Sequence, residues 1–248
     1  MAITALIFVA VAFLYASVGF GGGSTYTALL IESGMRWELV PPVSLACNVV
    51  VVSGGVYHFA RAGHLDLRFA IPLIATSVPA AFLGGYLRLG ETSFLLILGI
   101  ALFVAGVLML LDRQWPMLRG SGRQAGIAVR CGIGLALGGL AGITGIGGGI
   151  YLAPVLHISR LAAAKTVAAT CSLFILVNSA AGLAGQLVKL GRGAGELLDL
   201  PYLALPLAVL LGGQLGSRVG ATRLDPALIR RLTGLVILIV SVRLIWLA

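Results

Sequence analysis

Gly19-Phe20-Gly21-Gly22-Gly23 and, 126 positions further on, Gly145-Ile146-Gly147-Gly148-Gly149 are two versions of one phrase, each inside a long apolar run. Each glycine in a helix interior costs about 1 kcal/mol relative to alanine, so three in succession oppose helical continuity. The runs are also too long for one straight crossing. Residues 2–31 as an ideal helix would measure about 45 Å, against a hydrocarbon core of about 30 Å. A break at each triplet is therefore expected, and a break in lipid is tolerated only where the freed backbone groups face protein or a water-filled cavity. Gly134, Gly138 and Gly142, and likewise Gly212, Gly216 and Gly220, recur at i, i+4 and i+8. They read instead as small-residue stripes for close helix crossing.

Composition sets the solvent. Hydrophobic residues make up 59% of the 248 and charged residues 10%, where a soluble chain is about a quarter charged; mean hydropathy is +1.08. The runs show no period-2 alternation, which excludes a spanning β-barrel and leaves a helical bundle. The first run begins at residue 2 with no basic residue ahead of it, so it reads as a retained helix rather than a secretory signal. The formal charge of +9 comes from 17 basic residues. They are scattered through the loops rather than gathered with aromatics, which argues against nucleic acid and for topology signals and lipid headgroups. Cys47, Cys131 and Cys171 lack metal-ligand spacing and read as packing residues.

Eight apolar segments are expected, near 2–31, 40–60, 69–89, 93–111, 126–157, 162–188, 200–221 and 232–248. The fold class is all-α: a polytopic transmembrane bundle of two sequence-related halves, with helices broken at the glycine motifs. The first repeat is residues 1–115, a basic linker covers 116–125, and the second repeat is 126–248. The likeness extends downstream, where Ser44-Leu45-Ala46-Cys47-Asn48 takes the place of Thr170-Cys171-Ser172-Leu173. Repeats of this kind belong to transporter folds, whose sites lie where the repeats meet.

Half-helices starting after Gly23 and Gly149 would turn unpaired N–H groups and positive dipole ends inward, which suits a small anion. Ser24, Thr25, Thr144, Asn48, Thr170 and Ser172 would add polar groups around them. Glu32 is a candidate for proton or cation coupling and Lys165 for anion attraction, being ionisable residues close to the apolar runs. His58 and His157 read as interfacial. No Walker motif, complete dinucleotide fingerprint or nucleophile elbow is present, so nothing calls for a cofactor, a metal or an enzymatic role. Counting simple spans, nine basic residues fall on one side and eight on the other, which leaves the orientation open unless a segment, most reasonably the fifth, re-enters. Such a re-entrant segment would also invert the halves.

The Gly-Phe-Gly-Gly-Gly-Ser phrase, its echo followed by Leu152-Ala153-Pro154-Val155-Leu156, and Ala168-Ala169-Thr170-Cys171-Ser172 resemble the sulfite exporter TauE/SafE family over essentially the whole chain. The resemblance implies a multi-pass permease of the bacterial inner membrane for sulfite, sulfonates or related organosulfur anions. By motif it carries over Gly19, Gly21, Gly22 and Gly23 with Gly145, Gly147, Gly148 and Gly149. Cys171, set between Thr170 and Ser172, departs from the family's Ala-Thr-Ser phrase. The expected partners are a small anionic substrate and the lipid bilayer, by secondary transport, with homo-oligomerisation left open. The alternative is a non-transporting membrane assembly or docking subunit.

Overall fold

The structure is a computed structural model that describes residues 2–87, 89–111, 126–158, 162–198 and 200–222, with scattered positions beyond 234. The linker 116–125 lies outside the described residues, as does most of the segment 232–248. The helices are α1 (Ala2–Ala16), α2 (Gly23–Glu32), α3 (Val40–Arg61), α4 (Leu67–Tyr86), α5 (Glu91–Leu111), α6 (Ile127–Thr144), α7 (Gly149–Ile158), α8 (Ala164–Leu190) and α9 (Leu200–Thr222), with a 3-10 segment at Gly191–Leu198 before α9. α3, α4, α5, α6 and α8 are long and apolar enough to cross a membrane. No strand occurs among the described residues.

The first and fifth apolar segments are each two helices, separated at the glycine motifs as expected. Gly19 and Gly145 have φ of +84° and +72°, Gly22 and Gly148 +89° and +81°, and Gly147 +80°. These left-handed values cost a residue with a Cβ about 1–2 kcal/mol each, which is why the sequence supplies glycine here. The helix restarts match as well. The Gly22 carbonyl accepts from the N–H groups of Thr25 and Tyr26, and the Gly148 carbonyl from those of Tyr151 and Leu152.

The glycine stripes pack as crossing surfaces and fix helix direction. Gly134, Gly138 and Gly142 of α6 lie on the carbonyls of Leu73, Ser77 and Ala81 of α4, and Gly212, Gly216 and Gly220 of α9 on those of Val9 and Phe13 of α1 and of Ser17 just past its end. Matching order means that α6 runs parallel to α4, and α9 parallel to α1. Toward their C-terminal ends α4 and α8 meet through Gly85 and Gly182, so α8 shares the direction of α4 and α6. α3 opposes α8, with Leu45 against Gly182 and Gly55 against Ser172, and it runs with α9, Val51 meeting Gly213 and Phe59 clustering with Ala221. One set, α1, α3 and α9, therefore points opposite to the other, α4, α6 and α8.

Each pair of parallel helices at the start of a half needs a return between them. α2 provides it in the first half, running from the level of Asn48 back toward the start of α3, where Thr27 bonds Ser44 at 3.1 Å. α7 provides it in the second. Gly147 lies against Ser179, and Gly149 against Ile175 and Cys171, so the chain climbs back toward the start of α8. The re-entrant segment expected for the fifth run is seen, and the first run behaves the same way.

This path sorts the charges. At the end of the bundle where α3 finishes and α4, α6 and α8 begin, the described ionisable residues include Arg61, Arg68, Arg130, Lys165 and Arg218 with Asp66. At the other end are Arg36 and Lys189 with Glu32, Glu38 and Glu91. The even split obtained from simple span counting came from treating the fifth segment as a through-crossing.

Candidate functional site

The two breaks meet at one side chain. Asn48, in the middle of α3 and fully buried, donates from Nδ2 to the carbonyl of Ile146 in the second break at 3.0 Å. Its side chain also fills the space that a Cβ at Gly21, Gly23 or Gly147 would need. Gly23 is itself close to the Ile146 carbonyl, which would lie 2.9 Å from a Cβ built there. The first turns of α2 and α7 thus begin on either side of Asn48 and lead away in opposite directions. Their N–H groups, those of Gly23 and Ser24 and of Gly149 and Ile150, have no carbonyl four residues back within a helix. The positive dipole ends converge there too.

Hydroxyl groups on the long helices hold the breaks in shape. Ser44 of α3 donates to the Gly23 carbonyl at 3.1 Å, so Thr27, Ser44 and Gly23 form a short relay at the head of α2. Ser172 of α8 donates to the Gly19 carbonyl at 3.0 Å. Cross-bracing is reciprocal: α3 ties the second break through Asn48, and α8 ties the first through Ser172. The opening glycines follow the same rule. Gly19 packs on the Ala168 backbone of α8, where a Cβ would come within 2.9 Å of the Ala168 Cα, and Gly145 packs on Pro41 of α3, at 2.6 Å by the same measure.

Of the residues picked from sequence, the eight motif glycines, Asn48 and Ser172 are brought together at the breaks. Thr170 is fully buried one turn and a half inside α8, and its hydroxyl has no partner among the described residues. Ser24 and Thr25 are buried at the start of α2, but their hydroxyls share hydrogen bonds with the Tyr15 hydroxyl of α1, at 3.3 and 2.8 Å. Thr144 closes α6 and bonds its own helix, at the Leu140 carbonyl, 2.7 Å away. The threonine and serine hydroxyls expected to face one another across the breaks are thus directed elsewhere, while the backbone N–H groups remain. Glu32 is exposed at the far end of α2. Lys165 is also exposed, and its ammonium donates to the Ala221 carbonyl at 3.3 Å, near the C-terminus of α9, the end that a helix dipole makes attractive to a cation.

Sequence reading did not single out Tyr15, Ser44 and Ser179, which the structure sets beside the breaks. Ser44 was legible, since it lies before Thr170 by the same 126 positions that separate the two glycine phrases. Ser179 is fully buried, has no hydrogen-bond partner among the described residues, and its Oγ would lie 2.6 Å from a Cβ at Gly147. Tyr15 carries no motif and is found only through the fold of α1 onto α2. Among the described residues no group of three or more His, Cys, Asp or Glu is placed to hold a metal.

The family model described as sulfite exporter TauE/SafE matches residues 4–244. The chain belongs to the TauE/SafE family. A curated relative from Sinorhizobium fredii, described as probable membrane transporter protein y4hK, is 29% identical over 244 residues, covering 98% of this chain and 97% of the relative. No solved structure matches. This TauE/SafE member is a multi-pass membrane transporter, and the glycine phrases that interrupt its helices are where its buried polar groups concentrate.

Proposed function

We propose that the protein is a secondary permease for small sulfur-containing anions, sulfite or a sulfonate, which bind where the first turns of α2 and α7 converge. The observation that carries this is the meeting of two helix N-termini at Asn48, in a bundle where the remaining charge lies toward the ends. A helix N-terminus stabilises an anion by about 0.3–1 kcal/mol at the surface and up to about 2 kcal/mol when partly buried, and two of them act on one ligand here. The family description supports sulfur oxyanions as the class. Glycine lets the backbone approach the ligand where a side chain would stand in the way.

The opposed helix sets support an inverted relation between the halves. α1 and α6, α2 and α7, α3 and α8, and α4 and α9 take corresponding places, since α1 packs on α9 as α6 packs on α4, and α3 on α9 as α8 on α4. In a permease of this design the halves rock about the fixed site and open it to alternate sides. The end carrying Arg61, Arg68, Arg130, Lys165 and Arg218 is assigned to the cytoplasm under the positive-inside rule, in a bacterial inner membrane.

Purified protein in proteoliposomes tests the reading. Loaded with radiolabelled sulfite, they should show saturable flux that empty liposomes and a Gly22→Val variant of matched expression lack. Flux equal in all three would reject it.

A further inference from the structure

Resting on the anion-site reading above, one atom narrows the ligand further. Asn48 is fully buried, its Nδ2 is committed to the Ile146 carbonyl, and its Oδ1 has no hydrogen-bond donor among the described residues. Oδ1 is directed at the backbone of Gly21, where any Cβ would collide with it. The amide cannot be turned over to relieve this, because Oδ1 would then oppose the Ile146 carbonyl oxygen, and two acceptors repel. The site thus combines a fixed acceptor with the donors of two helix starts.

Asn178 Oδ1 and Gln186 Oε1 likewise lack donors among the described residues, but their amides bond the carbonyls of Phe174 and Gly142 rather than the breaks. Thr170 and Ser179 also lack partners among the described residues, but a hydroxyl rotates to donate or accept as a ligand requires. Asn48 Oδ1 can only accept. An anion drawn to the N–H groups of Gly23, Ser24, Gly149 and Ile150 brings its oxygens toward that acceptor. If every polar atom of the ligand is itself an acceptor, the contact is repulsive. If the ligand carries an O–H or N–H, the same contact becomes a hydrogen bond in a water-poor site, where an unmatched polar group is heavily penalised.

We infer that Asn48 makes the permease selective for anions that themselves donate a hydrogen bond: a singly protonated sulfur oxyanion, or a sulfonate bearing a nearby hydroxyl or ammonium group. Such a site rejects analogues that lack the donor far more strongly than an apolar pocket rejects a missing methylene.

Three near-isosteric probes test this by calorimetric titration of the purified transporter: 1-propanesulfonate, which has no donor, 2-hydroxyethanesulfonate, which offers O–H, and 2-aminoethanesulfonate, which offers N–H. At least one donor-bearing probe should bind about five- to a hundredfold tighter than 1-propanesulfonate, the range that pairing an otherwise unsatisfied buried acceptor produces. Which of the two is preferred distinguishes the hydroxyl from the ammonium class. In Asn48→Leu, close in volume but without the acceptor, the ratio should fall to about one whatever happens to absolute affinity. Equal affinities in the unaltered protein would overturn the inference while leaving the anion site standing, and this outcome does not depend on the variant folding. A ratio that persists in a folded Asn48→Leu protein would move the selecting group elsewhere. Failure of all three probes, and of sulfite, to bind would overturn the anion-site reading and this inference with it.

Discussion

Gly22→Ala isolates the physics of the first break. Gly22 caps α2 at φ +89°, and holding a residue with a Cβ in this left-handed region costs about 1–2 kcal/mol. A second cost comes from space. The new Cβ would stand 2.8 Å from Cζ, 2.9 Å from Oη and 3.0 Å from Cε2 of Tyr26, whereas carbon atoms rest comfortably at about 3.5–4.0 Å. The ring cannot step aside freely, because it is fully buried and stacked on Phe8 with centroids 4.5 Å apart. Overfilling of this kind costs about 1–3 kcal/mol, so the variant should lose about 2–5 kcal/mol in all. Gly34→Ala separates the terms, since Gly34 has φ +78° with nothing within 4 Å of its would-be Cβ. It should lose the strain alone, about 1–2 kcal/mol. Denaturant unfolding in detergent micelles, followed by circular dichroism, reads both, and Tyr26→Phe in the Gly22→Ala background should recover part of the loss by removing Oη. Equal destabilisation of Gly22→Ala and Gly34→Ala would refute the packing argument.

The crossing surfaces give a matched pair on one helix. Gly142→Ala should loosen α6 from α4, because the Cβ collides with the Ala81 carbonyl, and should cost about 1–3 kcal/mol, while Gly139→Ala meets nothing within 4 Å and should be neutral or gain up to about 1 kcal/mol of helix propensity; thermal unfolding of both variants checks the contrast. Helix direction predicts accessibility: in a background without Cys47, Cys131 and Cys171, single cysteines at Gly63, Gly126 and Thr222 should react with an impermeant thiol reagent from one side, and those at Ser33 and Gly90 from the other. Labelling of Gly126 and Thr222 from opposite sides would reject the re-entrant α7. Thr170→Val removes a buried hydroxyl without a partner among the described residues, so it should weaken sulfite binding by about an order of magnitude while barely lowering stability; a melting loss with unchanged binding would make the residue structural.

Much of the bundle was legible because its rules are local. Glycine triplets in an overlong apolar run announce a break, and glycines at i, i+4 and i+8 announce a close crossing. Both are backbone properties that need no partner to be known. The direction of the returning helices was only half visible, since the charge count hinted at a re-entrant fifth segment but could not show that the first does the same. Side-chain roles were harder. Asn48 stood out as a lone amide in an apolar helix, yet its place between the breaks depends on α3 crossing both halves. Ser24 and Thr25 read as ligand groups by their nearness to the motif. That their hydroxyls share hydrogen bonds with Tyr15, brought back by the turn of the chain, could not be read from the sequence.

Locating the anion itself tests the central claim most directly. Hydrogenselenite, the form selenite takes at neutral pH, matches hydrogensulfite in charge, shape and its acidic proton, and its selenium can be placed by anomalous scattering in crystals of the protein grown with it. The predicted position lies between the first turns of α2 and α7, with oxygens on the N–H groups of Gly23, Ser24, Gly149 and Ile150 and the proton toward Asn48 Oδ1. A single ordered selenium at Lys165 or Arg130, with none at the breaks, would contradict the account.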